Sequence, residues 1–320
     1  MTTRGFSNRV NELLGSRYPI VAGPMRLISL GGMAASVSEA GGFGVIAASG
    51  LNAKELEREV SLARSLTDRP FGVNIPLYRE NAREVIDAAL AMGIGVIYTS
   101  AGDPQRMVER IKSRGAKVIH KVSSLNMARK AAGAGVDAVV AMGCEAGGHI
   151  GKDLVTMFCL VRSITRTLDI PVIASGGIGD GRGLLAALIL GAEGVEIGTR
   201  LVATRECPVP AFFKEALCSA ECTSTLVLGR ETMPIRVLAN AMALRAAGMA
   251  SGSLDVEMAA RGDDLYAPRA REKDSAIMPC GQVAGLVDGV LEVREVIDSM
   301  VSQARAMARG IGESEGWWLA

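Results

Sequence analysis

Ala174-Ser175-Gly176-Gly177-Ile178 follows the apolar run Pro171-Val172-Ile173, and Glu196-Ile197-Gly198-Thr199-Arg200 follows the shorter run Gly194-Val195. A helix-like stretch separates the two segments. The layout reads as the last two strand ends of a parallel α/β barrel, where the loops after strands seven and eight are a common phosphate site. Glycines there let backbone N–H groups turn toward an anion. One such segment alone is equally compatible with a plain tight turn, but two in tandem at the end of an eightfold pattern favour a phosphorylated ligand.

The eightfold pattern emerges on moving outward from this pair. Short runs rich in Val and Ile span Pro19 to Met25, Phe43 to Ala48, Phe71 to Leu77, Gly95 to Ala101, Lys117 to Val122, Asp137 to Gly143, Pro171 to Ile178 and Gly194 to Thr199. Between them apolar residues recur at helical spacing, as at Leu56, Val60, Ala63 and Leu66, or at Val85, Ile86, Ala89 and Leu90. Parallel strands are covered on both faces, which is why they read as continuous apolar runs. An open doubly wound sheet is the competing architecture, and no early Gly-x-Gly-x-x-Gly fingerprint supports it. The expected fold is an α/β (β/α)₈ TIM barrel with a helical cap inserted after the eighth strand. The barrel takes residues 1–206 and 281–320, and the cap takes 207–280.

The chain has 320 residues, 49% of them hydrophobic and 22% charged, enough for a barrel plus an addition. Its 35 Lys+Arg against 34 Asp+Glu give a net charge of +1 with no basic run, which points away from nucleic acid and anionic membranes. No apolar stretch approaches the roughly 20 residues of a membrane span, and Met1-Thr2-Thr3-Arg4 lacks a signal peptide's apolar region. The cytoplasm is the expected compartment. The six cysteines are scattered at 144, 159, 207, 218, 222 and 280, without a disulfide or metal-ligand pattern, and are expected to be reduced and mostly in the core. No metal site is expected.

Within the cap, Ala211 to Ala220 and Ile235 to Ala247 read as helical, and Arg261 to Asp274 reads as an exposed loop. Met233, Met242, Met249 and Met258 are expected to fill core gaps rather than line a substrate box. Cys280-Gly281-Gln282-Val283-Ala284-Gly285-Leu286-Val287 starts the return to the barrel.

Barrel enzymes place catalytic groups at strand C-termini, and both histidines of the chain fall there. His149 lies in Gly143-Cys144-Glu145-Ala146-Gly147-Gly148-His149-Ile150-Gly151-Lys152, where flanking glycines bring imidazole and backbone close to a ligand. With an unperturbed pKa of about 6.5, it can accept or donate a proton at neutral pH. His120, beside Lys121 on the fifth strand, is expected to be structural.

The chain carries Glu145-Ala146-Gly147-Gly148-His149, Ala174-Ser175-Gly176-Gly177-Ile178, Tyr18-Pro19-Ile20-Val21-Ala22-Gly23-Pro24-Met25, Ala40-Gly41-Gly42-Phe43-Gly44-Val45-Ile46 and Phe71-Gly72-Val73-Asn74. Together they resemble the nitronate monooxygenases, formerly 2-nitropropane dioxygenases. They resemble equally the FMN-dependent enoyl-acyl-carrier-protein reductases of the same superfamily. The resemblance runs from about residue 8 to 310 and includes the return segment at Gly281 to Val287.

The resemblance implies FMN bound non-covalently across the barrel mouth. It assigns Gly23, Pro24 and Met25 to the flavin's N5 and O4 side, Asn74 to its pyrimidine edge, and Lys121 to positive charge near N1 and O2. Glu145, Ala146, Gly147 and Gly148 would allow close backbone approach, and Ser175, Gly176, Gly177, Gly198 and Thr199 would hold the phosphate. His149 matches the catalytic histidine. In a monooxygenase it would assist deprotonation of a small substrate; in an enoyl reductase it would polarise an acyl-thioester carbonyl, with NADH or NADPH as transient electron donor. The short connection from Ile150 to Met157 resembles the reductase branch more closely. Gln282 of the return segment is a further substrate-side candidate. Oligomeric state stays open, with a homodimer one candidate.

Arg26 departs from the family pattern, which commonly has Ala there. An arginine at the mouth suits a carboxylate or the phosphates of a CoA or carrier-protein thioester, or else a solvent-facing loop. Two other classes stay open: a flavin-binding barrel without redox activity, and a phosphosugar or nucleotide barrel with a catalytic cysteine after strand six, near Cys144.

Overall fold

Each of the eight apolar runs contains a strand. In chain order, the strands of the computed structural model begin with β1 (Ile20–Ala22), β2 (Gly44–Ala47), β3 (Phe71–Pro76), β4 (Val96–Ser100), β5 (Lys117–Val122) and β6 (Ala138–Met142). A two-residue strand, β7 (Gly148–His149), precedes β8 (Val172–Ser175) and β9 (Gly194–Ile197). The structure describes residues 8–249, 262–266, 268–269 and 271–313. Met258 and the first seven residues lie outside these.

Eight strands pair in the order β1-β9-β8-β6-β5-β4-β3-β2, all parallel. The ring closes between its edges, where Phe43 N donates to Ile20 O at 2.8 Å and Ala22 N to Phe43 O at 2.9 Å. Successive side chains of a strand alternate between the barrel interior and the helix layer. Val21, Val45, Tyr98, Ile119, Val140 and Ile173 fill the interior, and Val10 and Leu14 of the helix Arg9–Leu14 plug it from below. Two residues further along each strand, the same parity brings Gly23, Lys121, Met142 and Ser175 to the mouth, together with Asn74 and Glu196.

Outside, the helix Ala53–Leu66 starts with a reciprocal cap between Asn52 and Glu55 and buries Leu56, Val60 and Ala63. Leu66, counted on the same stripe in the sequence, is exposed. The helix Ala82–Ala91 buries Val85, Ile86 and Ala89. Burying one such Val, Leu or Ile contributes about 1.5–3 kcal/mol. The C-terminal helix Val293–Glu313 packs on the helix Gly181–Ile189, close enough that a Cβ at Gly181 would strike Gln303 and the Met300 carbonyl.

After β9 the chain forms helices Thr199–Val202 and Ala211–Cys218, then β10 (Thr225–Leu228), β11 (Ile235–Leu238) and the helix Ala241–Ala247. The sequence signalled the helices of this segment but not its strands. Ile235 opens a strand because Ile235-Arg236-Val237-Leu238 carries β-branched residues at alternate positions, and Asn240 then caps a helix that begins only at Ala241. β10 and β11 form an antiparallel pair, and β11 continues onto β7. Leu228, Ile235, Val237, Met242, Ala243, Ala246 and Ile277 make a separate small core. Met242 therefore fills core space, whereas Met233 and Met249 are exposed.

All six cysteines are free; Cys207 and Cys280 are buried, but Cys159 and Cys222 are exposed, so fewer are core than expected. Among the described residues no helix is long and apolar enough to cross a membrane. No group of three or more His, Cys, Asp or Glu able to hold a metal occurs among them either.

Candidate active site at the barrel mouth

Strand parity turns isolated sequence candidates into one polar layer. Asn74 is buried, and its Nδ2 donates to Ser100 Oγ at 3.3 Å. Lys121 Nζ donates to Glu196 Oε1 at 2.6 Å, and Ser175 Oγ donates to the same oxygen at 2.8 Å. Glu196 was missed in the sequence because it sits inside an apolar run, yet its parity with Gly198 gives its direction. Glu196 Oε2 and the Tyr98 hydroxyl, both buried, meet no hydrogen-bond partner among the described residues. Leaving such a group unsatisfied costs about 1–3 kcal/mol, and more for a charged one. Burial, helped by the Glu196 charge, pushes the Tyr98 phenol well above its usual range, so its proton stays on.

Above this layer the β8 loop needs its glycines. Gly176 has φ +99° and Gly177 φ +72°, a left-handed conformation that disfavours side chains. A Cβ at Gly176 would lie 3.0 Å from Ala146 N, whereas at Gly177 it would meet only ordinary contacts, so backbone conformation alone demands glycine there. No acceptor among the described residues meets the N–H of Gly176 or Gly177. Gly198 starts the helix Thr199–Val202, and the buried Thr199 accepts at Oγ1 from Gly281 N at 2.8 Å, keeping its hydroxyl proton for donation.

Both carboxylate oxygens of Glu145 accept from Met157 N, at 3.0 and 2.9 Å, so this side chain caps the helix Met157–Thr165. Its backbone carbonyl accepts from Gln282 N at 3.0 Å. A Cβ at Gly147 would collide with the backbone of Cys280, and one at Gly281 would lie 2.5 Å from Glu145 O. The loop after β6 and the return segment thus lock together backbone to backbone, with Ala146 buried and Gln282 half-buried. Gly148, at φ +72°, turns the chain into β7.

His149 is exposed, and β7 registers it against Ile235 of the cap. His120 differs in every respect. It has the opposite parity to Lys121, is buried, and its Nδ1 lies 2.8 Å from Thr99 Oγ1. Burial lowers its pKa to about 4, so it is neutral and structural, as expected.

Two candidates look different in place. Arg26 Nε donates to Asp263 Oδ1 at 2.8 Å, a second guanidinium N–H reaches the same oxygen, and the guanidinium stands 5.6 Å from the Tyr266 ring centroid. Arg269 adds its Nη1 at 3.6 Å from Asp263 Oδ2. The expected free cation at the mouth is thus ion-paired to the cap. In the opening segment, Gly23 N donates to Ile197 O at 2.8 Å and Met25 N to Ser29 Oγ at 3.1 Å. Pro24 has no N–H, so this segment has no backbone donor left for a ligand, and only carbonyls and the Met25 side chain can face one.

Cys144 is half-buried, with its thiol pushed up by burial and by the neighbouring Glu145. It stays protonated at neutral pH, which disfavours the cysteine-nucleophile reading. Arg236, another residue that sequence reasoning missed, donates from Nε to Cys144 O at 2.9 Å and from Nη1 to Thr225 Oγ1 at 3.0 Å, tying the cap to the loop before His149.

A family model described as nitronate monooxygenase matches residues 7–303. A Mycobacterium tuberculosis protein named (3aS,4S,5R,7aS)-5-hydroxy-7a-methyl-1-oxo-octahydro-1H-indene-4-carboxyl-CoA dehydrogenase is 31% identical, covering 92% of this chain and 95% of that one. A probable nitronate monooxygenase from Staphylococcus saprophyticus is 32% identical, over 69% of this chain and 75% of its own. The solved structure of FabK from Thermotoga maritima superposes with a TM-score of 0.91 at 36% identity, covering 96% of this chain and 98% of that one.

Proposed function

This chain belongs to the nitronate monooxygenase family and is an FMN-dependent oxidoreductase, and we propose that His149 handles the proton of a small organic substrate at its barrel mouth. The observation that carries this reading is the pair of left-handed glycine amides, Gly176 and Gly177, which meet no acceptor among the described residues and stand above a buried polar layer. These residues fit FMN. The two amides with the Gly198 N–H and the Thr199 hydroxyl supply donors for its phosphate, while the Ser175 hydroxyl, which donates to Glu196, has no proton to offer it; Asn74 can both donate to and accept from a pyrimidine edge. Bound FMN supplies two-electron redox chemistry.

His149 has the exposure and the fixed backbone to meet a substrate proton, which suits abstraction from a nitronate or another carbon acid. Residues 207–280 form the substrate-facing cap in this reading, with Gln282 at its junction with the barrel. The cytoplasm, whose reducing pool keeps free thiols reduced, is the matching compartment.

A second reading, reduction of an enoyl thioester with NADH or NADPH as transient donor, is favoured by the short connection between His149 and the helix at Met157. The near-complete match to a carboxyl-CoA dehydrogenase and to FabK supports the same thioester class. Here His149 would polarise the thioester carbonyl. Turnover of propionate 3-nitronate, crotonyl-CoA and a quinone, measured with and without O₂ and with each nicotinamide, separates the readings. A monooxygenase needs O₂ and an enoyl reductase does not.

A further inference from the structure

Lys121 and Glu196 reach each other across the barrel interior from β5 and β9, which are not neighbours in the sheet. The Glu196 side chain is 3% exposed and that of Lys121 15%. Ser175, directly opposite Glu196 in the β8–β9 register, adds its hydroxyl to the oxygen that Lys121 holds. The second carboxylate oxygen has no partner among the described residues. Stability does not account for such a pair, because well-packed apolar residues in place of a buried ion pair are often neutral or stabilising. Its position does suggest a role, since Glu196 lies two residues before Gly198 on the inward face and beside Ser175.

We propose that Glu196 is a positioning residue for the redox cofactor: it pairs with Lys121 so that the barrel wall presents no net charge to the flavin, holding the reduction potential below the value an unpaired lysine would set. The proposal rests on the reading that FMN lies over this polar layer. Reduction by two electrons and one proton leaves one added negative charge on the flavin. An uncompensated ammonium nearby favours that reduced form, and a carboxylate at 2.6 Å from the ammonium cancels most of the effect.

The test is the midpoint potential of FMN bound to the purified holoenzyme, measured by equilibration with a dye of known potential. Glu196→Gln keeps the shape and both hydrogen-bonding positions while removing the negative charge. It should favour reduced FMN by about tenfold or more, an upward shift of about 30 mV for a two-electron couple. Lys121→Met should shift the potential in the opposite direction, and the Lys121→Met/Glu196→Gln double variant, again uncharged, should return close to wild type. FMN stoichiometry is read on the same samples. An unchanged or lowered potential in Glu196→Gln overturns the proposal. If Lys121→Met still moves the potential in that case, the flavin reading stands and only the role of Glu196 is lost. If neither variant moves it, the placement of FMN over this layer fails as well.

Discussion

His149 pairs with Ile235, so the histidine proposed to meet the substrate is aligned by a strand of the cap and not by the barrel ring. Arg236, next along β11, ties the same strand to the carbonyl of Cys144. Cap and His149 loop are therefore one mechanical unit. Val237, fully buried in the cap core, should transmit damage to it. Val237→Ala removes two methyl groups and should destabilise that core by about 1–3 kcal/mol. The expected signature is reduced turnover with FMN still bound, as measured by steady-state kinetics beside flavin absorbance. Parallel loss of both would place the cap's contribution in folding the barrel.

His149→Ala should leave FMN content and thermal midpoint near wild type, because the side chain is exposed. Turnover with the best substrate should fall about 10²-fold or more, the scale of a lost general acid or base. An unchanged rate removes His149 from the chemistry.

Arg26 belongs to a latch with Asp263 and the Tyr266 ring. Exposed or partly exposed ion pairs contribute little to global stability, about 0–1 kcal/mol. Arg26→Ala and Asp263→Ala should therefore barely change the melting temperature, yet each should speed limited proteolysis of the 262–269 segment. The double variant should be no faster than either single one. Additive acceleration, or a KM effect of Arg26→Ala confined to anionic substrates, would return Arg26 to a ligand-binding role.

His120 gives the fold a defined acid sensitivity. Its folded pKa of about 4 lies below the unfolded value of about 6.5, so between these the unfolded chain binds more protons. Stability should thus be fully present above about pH 6.5 and fall as pH drops toward 4, by up to about 3 kcal/mol. Denaturant titrations at pH 7 and 5 should show this difference shrinking in His120→Gln. An equal difference in both proteins would assign the acid loss to other groups.

The barrel was legible because covered parallel strands must be continuous apolar runs, and each of the eight runs holds its strand. The glycines of the β8 loop were legible for a similar reason, since Gly176 and Gly177 occupy backbone conformations that few side chains tolerate. Pairings between distant segments left no local trace. Asp263 sits in a stretch whose composition signals only solvent exposure, and nothing near Arg26 announces that this stretch comes back to the rim. Glu196 was hidden by its apolar neighbours, and Ile235 by the helix that follows it, although its four-residue alternation was a signal that could have been read.

The central claim is that FMN is held through the Gly176-Gly177 turn, and its most direct measurement is the FMN content of purified Gly177→Leu beside Gly93→Leu. Both glycines have φ +72°, so each substitution places a leucine at the same left-handed φ, but Gly93 lies outside the site. Wild type and Gly93→Leu should purify with stoichiometric FMN and the visible absorbance of oxidised flavin, while Gly177→Leu, equally folded by circular dichroism, should lose it. Stoichiometric FMN in folded Gly177→Leu would contradict the account.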